Sequence, residues 1–389
     1  MSSFTPARRI TDLPPYLFAE LDRKVAAKRA EGADVVSFGV ADPDFPTPPH
    51  IVEALRDAVS DPSTHHYPSY AGSPELREAI AVWMQRRFRV GLDPNTEVLP
   101  ILGSKEGIVH LPWALVDEGD VALCADPGYP PYDVASRLAG GEPVALPLTR
   151  EDGFLPRLDD VGFDVARRAK VMFLDYPGNP TGATCELGSF EQAVDFCRSN
   201  GIVLAHDAAY SEITYDGYVA PSVLQAEGAK DVAVEFHSFS KTYNMTGWRI
   251  GWVCGNADVV EALGRLKTNL DSGIFNAIQR AAIAALQGPM DFLEAQMKIF
   301  AERRDRAVHG LRDAGLDAWT PKGSFYLWVP VPEHETSTSF STRLLDDAAV
   351  VVAPGNGYGE RGEGYVRFSL TLPDDRLDEG IARIRKVCG

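Results

Sequence analysis

Lys241 lies in the run from Glu235 to Gly251, directly after a short apolar stretch. A lysine there can hold an aldehyde cofactor as an imine. That chemistry needs the unprotonated amine, so partial desolvation or a cationic neighbour must lower its pKa. Ser238, Ser240 and Arg249 offer what a phosphate beside that amine would require. Hydroxyls donate single hydrogen bonds to phosphate oxygens, and a planar guanidinium donates two in parallel to an anion that stays charged. Taken singly, such residues are ordinarily surface charges, turns or caps; four further segments give them a shared meaning.

Asp207 ends the apolar run Ile202 to His206. A carboxylate at the end of a buried strand is expensive unless a cation answers it. A protonated pyridine nitrogen is such a cation, and it makes the ring an electron sink for a carbanion; a helix N-cap or buried salt bridge is the alternative. Asn179, in the turn Pro177 to Gly182, and Tyr210 can each donate to the ring oxygen of the cofactor and tune the imine. Tyr210 can equally be a buried structural side chain.

Gly103-Ser104-Lys105-Glu106-Gly107 opens a helix after a strand, so its N–H groups and the positive end of the dipole form an anion site. Tyr129, after Asp126-Pro127-Gly128, can stack its face on the ring or pack on the core. Arg367 is a cation inside a strand-like run, placed either to grip a substrate carboxylate bidentately or to face solvent from an edge strand. Together these residues describe a pyridoxal phosphate pocket. The G-x-x-x-x-G-K-[ST] spacing is absent, and Gly355 to Gly359 does not fit G-x-G-x-x-G, so ATP and dinucleotide readings fail. His206, His237 and the pair His65-His66 lack metal-ligand spacing and read as packing or hydrogen-bonding residues; no metal is expected.

These residues need elements to hold them. The pattern predicts helices over Pro48 to Ser60 and Ser73 to Phe88, the latter with Ser73 as N-cap and Pro74 in the first turn. Short apolar runs follow at Val98–Leu102, Val121–Ala125, Val171–Leu174, Ile202–Ala205, Val232–Phe236 and Ile250–Val253. Alternating with helix-length segments such as Phe190 to Asn200, they predict an α/β core with a mostly parallel sheet covered on both faces. Ligands bind beyond the carboxyl ends of such strands, where Ser104, Asp126, Asp175, Asp207 and Ser238 fall. A long amphipathic stretch from about Ala277 to Ala314 is expected to bridge two subdomains. Strands at Ser324–Val329 and Tyr365–Leu370 and a helix over Phe340 to Asp347 predict a smaller α+β domain, joined by the first forty-odd residues. The expected division is 1–47 as an N-terminal arm and part of the small domain, 48–290 as the large cofactor-binding domain, and 291–389 as the small domain.

At 389 residues the chain exceeds the size at which one core usually keeps growing. With 45% hydrophobic and 24% charged residues it is an ordinary globular composition, and no apolar run is long enough to cross a bilayer. A formal net charge of -17 opposes nucleic acid binding, which rests on Lys and Arg neutralising phosphates. Cys124, Cys185, Cys197, Cys254 and Cys388 are odd in number and show no C-x-x-C spacing, so reduced thiols are expected, with no zinc site. The N-terminus lacks the apolar core of a secretory signal, making the cytoplasm the expected location.

Asn179-Pro180-Thr181-Gly182, Asp207-x-x-Tyr210, and Ser238-x-Ser240-Lys241 with Arg249 eight residues on occur in an order that resembles the fold-type I pyridoxal phosphate aminotransferases of class I/II. The resemblance runs from about Tyr16 to Arg367. Within that family the chain is similar to the LL-diaminopimelate aminotransferases through Leu102 to Gly107, His206 to Glu212 and Phe236 to Gly251. The resemblance implies a seven-stranded-type sheet, Lys241 as the imine-forming lysine that shuttles the α-proton, Asp207 on the pyridine nitrogen, and Arg367 on the α-carboxylate. It puts Ser104, Lys105, Tyr129, Asn179, Tyr210, Ser238, Ser240 and Arg249 on the cofactor, and Gly39, Ala41, Tyr16 and Asn179 on the substrate side. Tyr67 matches the tyrosine that reaches the phosphate of a neighbouring subunit, which implies a homodimer with shared sites. One departure is Ala41, where related enzymes often carry a second glycine before Pro43-Asp44-Phe45. The expected reaction is transfer of an amino group from an L-amino acid, LL-diaminopimelate by preference, to 2-oxoglutarate or a similar acid. A broad aspartate/alanine-type aminotransferase and a C–S lyase using the same cofactor are the alternatives.

Overall fold

The computed structural model describes residues 4–13 and 17–389. The two-residue strand β1 (Val36–Ser37) precedes a seven-stranded sheet made by β2 (Val98–Ile101), β3 (Val121–Asp126), β4 (Glu142–Pro147), β5 (Ala169–Leu174), β6 (Val203–Asp207), β7 (Ala233–Ser238) and β8 (Gly251–Gly255). Its order is β2-β8-β7-β6-β5-β3-β4. The contiguous block from β7 to β4 is parallel, and β8 and β2 pair antiparallel at one side. Strands β3, β5 and β7 bury nearly every side chain because helices cover both faces, which is why they read as unbroken apolar runs. The edge strand β4 was not foreseen. Its two prolines and half-exposed side chains hide it from a periodicity reading, yet an edge tolerates proline.

The smaller part contains β9 (Tyr326–Pro330), β10 (Val350–Val351), β11 (Ala353–Pro354) and β12 (Tyr365–Ser369). Strand β12 lies in the middle of a three-stranded antiparallel sheet, and β1 from the N-terminal segment pairs parallel with β10. A second apolar cluster fills it, from Val36 and Phe38 to Leu344, Phe368 and Ile384. The helix Pro74–Phe88 carries the expected Ser73 cap, whose Oγ accepts from Leu76 N–H. The expected continuous stretch from Ala277 to Ala314 is instead two helices, Asn276–Gln287 and Asp291–Asp313. Gly288 and Pro289 end the first, since proline lacks the N–H that would continue it and biases the preceding residue away from helix.

Candidate active site

Lys241 lies in the single turn Phe239–Thr242 that follows β7, and its Nζ donates to Ala41 O at 2.6 Å. Burial lowers its pKa to about 8; Asp42 opposes that shift, and Arg367 and Arg249 add to it. The amine is therefore far closer to neutral than an ordinary lysine. Phe325 lies 5.8 Å from Nζ and helps exclude water.

Asp207 closes β6, buried, and takes hydrogen bonds from Tyr132 Oη (3.2 Å) and Ala209 N–H (3.3 Å). Burial raises its pKa to about 6, against the opposing charges of His206 and the hydrogen bond from Tyr132. Both bonding partners are neutral, which leaves the carboxylate suited to a protonated ring nitrogen. Tyr132 was missed by the sequence reading; it follows Tyr129 by three residues and stacks on Phe173 at 4.8 Å. Tyr129 is half-buried and meets the edge of Tyr132 at 5.6 Å.

Arg367 is buried in the central strand β12, so the edge-strand alternative is overturned. Its Nη1 donates to Asn179 Oδ1 at 2.8 Å and its Nη2 to Gly39 O at 3.1 Å. With its Oδ1 engaged, Asn179 keeps its amide N–H groups for a ligand. The Asn179 backbone N–H donates to Asp175, whose carboxyl burial pushes well above the usual range. Tyr210 Oη lies 2.7 Å from Tyr326 Oη, a second residue that the sequence reading missed. Its signal was its place in a strand near a cluster of aromatics, which does not mark it as polar machinery.

The anion cradle forms where β7, β8 and the helix Ser104–Leu115 meet. Gly103 has φ +87°, a backbone conformation that favours glycine, and a Cβ there would stand 2.4 Å from Arg249 Nη2, so the guanidinium tip lies directly against this turn. A Cβ on Gly251 would stand 2.9 Å from Ser104 N, which shows how closely β8 approaches the helix start. Ser238 Oγ accepts from Ser240 N–H, capping the turn that carries Lys241. Ser238 and Ser240 are buried, Ser104 is half-buried, and Lys105 and Arg249 are exposed. The cradle, the lowered amine and the carboxylate with neutral partners fit pyridoxal phosphate. Gly39 and Ala41 border the same place through their carbonyls, whereas Tyr67 is 89% exposed and Tyr16 lies outside the described residues.

Behind the site, Glu235 is fully buried and accepts from Ser222 Oγ and Val223 N–H, with His206 Nδ1 at 2.9 Å and His237 Nε2 at 2.7 Å. Burial alone would push its carboxyl up, but the bonds from the two histidines hold it well below the usual carboxylate range. His206 and His237 thus serve hydrogen bonding and packing, His237 lying flat on Trp252 at 4.7 Å.

Residues 33–384 match the family model for aminotransferase class I and II. The chain is 54% identical over 387 residues to the LL-diaminopimelate aminotransferase of Desulforudis audaxviator, covering 100% of this chain and 99% of that protein. It is 52% identical to the enzyme of the same name from Moorella thermoacetica, covering 98% of each. Among solved structures, apo BacF from Bacillus subtilis superposes with TM-score 0.96 at 39% identity over 100% of this chain and 99% of that one. The aspartate aminotransferase from Thermus thermophilus with maleate superposes with TM-score 0.92 at 29% identity, covering 99% and 100%.

Because the folded pKa of Asp207 lies above its unfolded value, the stability it contributes is present below about pH 4 and lost as pH rises through about 6. In cofactor-free protein, D207N should melt like wild type near pH 4 and be more stable by about 2–3 kcal/mol near pH 7.5. Identical melting of the two proteins across that range would contradict the burial argument.

Proposed function

The chain belongs to the class I and II aminotransferases, fold-type I enzymes that use pyridoxal phosphate, and on that premise we propose that it moves the amino group of LL-diaminopimelate to 2-oxoglutarate. The observation that carries the reading of the site is convergence: the Lys241 amine and the Arg367 guanidinium both turn onto one three-residue segment, at Ala41 O and Gly39 O. An amine that takes a proton and a cation that holds a carboxylate must sit this close to act on one α-carbon. The choice of donor is supported by relatives of that name at 54% and 52% identity over essentially the whole chain.

The cofactor, when bound, supplies an aldehyde and an electron sink for the α-carbon. Asp207 would hold the pyridine nitrogen protonated, with Tyr132 fixing the carboxylate. Ser104, Lys105, Ser238, Ser240 and Arg249 would grip the phosphate, and Tyr129 would lie against the ring. Asn179 and Tyr210 would donate to the ring oxygen. Arg367 would exchange Gly39 O for the substrate carboxylate, keeping its planar two-point geometry. Lys241, with its amine near neutrality, would take the α-proton and return it, while Phe325 and Tyr326 keep water out.

We further propose a homodimer in which Tyr67 completes the partner's phosphate site. Tyr67 is 89% exposed beside Tyr70 (48%), Leu270 (45%) and Phe275 (39%), a set of large side chains left open to solvent. Gly273 lets the loop after Leu270 approach the loop of Tyr67 closely, since a Cβ there would stand 2.9 Å from Ser69 O. We assign the enzyme to the cytoplasm, where its free thiols would stay reduced.

A donor screen tests the substrate: LL-diaminopimelate should exceed alanine and aspartate in kcat/KM by at least about tenfold, and K241A should lose turnover with every donor. Equal rates for the three donors would replace the reading with a broad aminotransferase. Mixing the inactive variants K241A and Y67A should restore activity, because each hybrid dimer rebuilds one complete site; no recovery after verified subunit exchange would rule out shared sites. Recovery of the enzyme from membrane or periplasmic fractions would overturn the location.

A further inference from the structure

The hydroxyls of Tyr210 and Tyr326 lie 2.7 Å apart, with the residues 7% and 1% exposed. Tyr326 opens β9 and cannot swing away. Its ring face lies 4.2 Å from the Arg367 guanidinium carbon and its edge meets the Tyr210 ring at 5.4 Å. Phe325 closes the other side of Tyr210 at 5.3 Å. A phenol has one proton and two lone pairs, so in such a pair one hydroxyl donates and the other accepts. If Tyr210 donates to Tyr326, no proton remains for a ligand oxygen. If Tyr326 donates, the Tyr210 proton is free, and the bond it accepts polarises its own O–H and strengthens it as a donor.

We propose that Tyr326 is a positioning residue of the reaction: its hydroxyl donates to Tyr210 when pyridoxal phosphate is bound and so commits the Tyr210 proton to the ring oxygen of the cofactor. This rests on the reading of Tyr210 as a donor to that oxygen. A stronger donor stabilises negative charge there and lowers the pH at which the bound chromophore loses its proton. Charges that also act on this pair are Arg367 from β12, Asp175 just after β5 and Asp207 at the end of β6, with Tyr129 acting on Tyr210, while Asp42, Arg367 and Arg249 act on the neighbouring Lys241. Phenylalanine at 326 leaves all of them in place, since its ring keeps the contact under Arg367.

The test is a spectrophotometric pH titration of cofactor-loaded wild type, Y326F, Y210F and the double variant without substrate, together with the cofactor dissociation constant of each. Y326F should load fully and raise the midpoint by about half a pH unit, Y210F should raise it by about one or more, and the double variant should match Y210F. The substrate KM of Y326F should hold while kcat falls. A Y326F midpoint equal to wild type, with Y210F shifted, overturns the inference alone. An equal shift from Y326F in the Y210F background also overturns it, because the hydroxyl would then act through another group. An unshifted Y210F removes the ring-oxygen assignment itself, a separate failure, and the inference with it.

Discussion

Withdrawing charge from water is the constraint on which this site depends. Lys241, Asp207, Asp175, Glu235 and Arg367 are buried or half-buried around the carboxyl ends of β5, β6 and β7, and each would be costly if left unanswered. Glu235 is answered within the chain by two histidines, a serine and a backbone N–H, and it stays ionised. Among the described residues Asp207 and Lys241 have no such full complement, and burial moves both toward their neutral forms. The contrast separates scaffold from site: a carboxylate fully satisfied by its own chain holds strands together, whereas one left with neutral partners awaits a ligand.

The segment from Gly39 to Thr47 ties the three-stranded sheet and the turn after β7 to this place. Gly39 O and Ala41 O take the Arg367 and Lys241 donors, and Val40 O accepts from Thr371 Oγ1. Asp44 forms a two-point pair with the buried Arg303 of the helix Asp291–Asp313, and Thr47 Oγ1 donates to Asn244 O just after the lysine. The two backbone carbonyls satisfy cations that a ligand would otherwise engage, so the segment both shapes the site and keeps its charges paired. Ala41 takes part through its carbonyl, so this contact makes no demand on its side chain.

Much of this was legible because it is local. Apolar runs marked β3, β5, β6 and β7, and the polar residues that end them were readable as site candidates from topology alone. The glycine of the Gly103 turn and the Ser73 cap follow from short-range chemistry. What escaped was what depends on distant partners. The orientation of Arg367 stayed open between solvent and site, because a single strand does not reveal its place in a sheet. Tyr132 and Tyr326 belong to no motif, and only their hydroxyl contacts with Asp207 and Tyr210 bring them to the site. The prolines of β4 and the Gly288-Pro289 break show propensity read too weakly at an edge and too smoothly along a helix.

The sequence by itself determined the layered α/β scaffold, the lysine with the hydroxyls and guanidinium near it in sequence and the kind of cofactor the family uses, because hydrophobic period, caps and motif spacing act over a few residues. The folded chain alone decided which charges lose water and which partners they find. Those quantities depend on contacts across 188 residues between Arg367 and Asn179, or 200 between Lys241 and Ala41. A pKa is a property of surroundings assembled from several strands, and no one segment contains them.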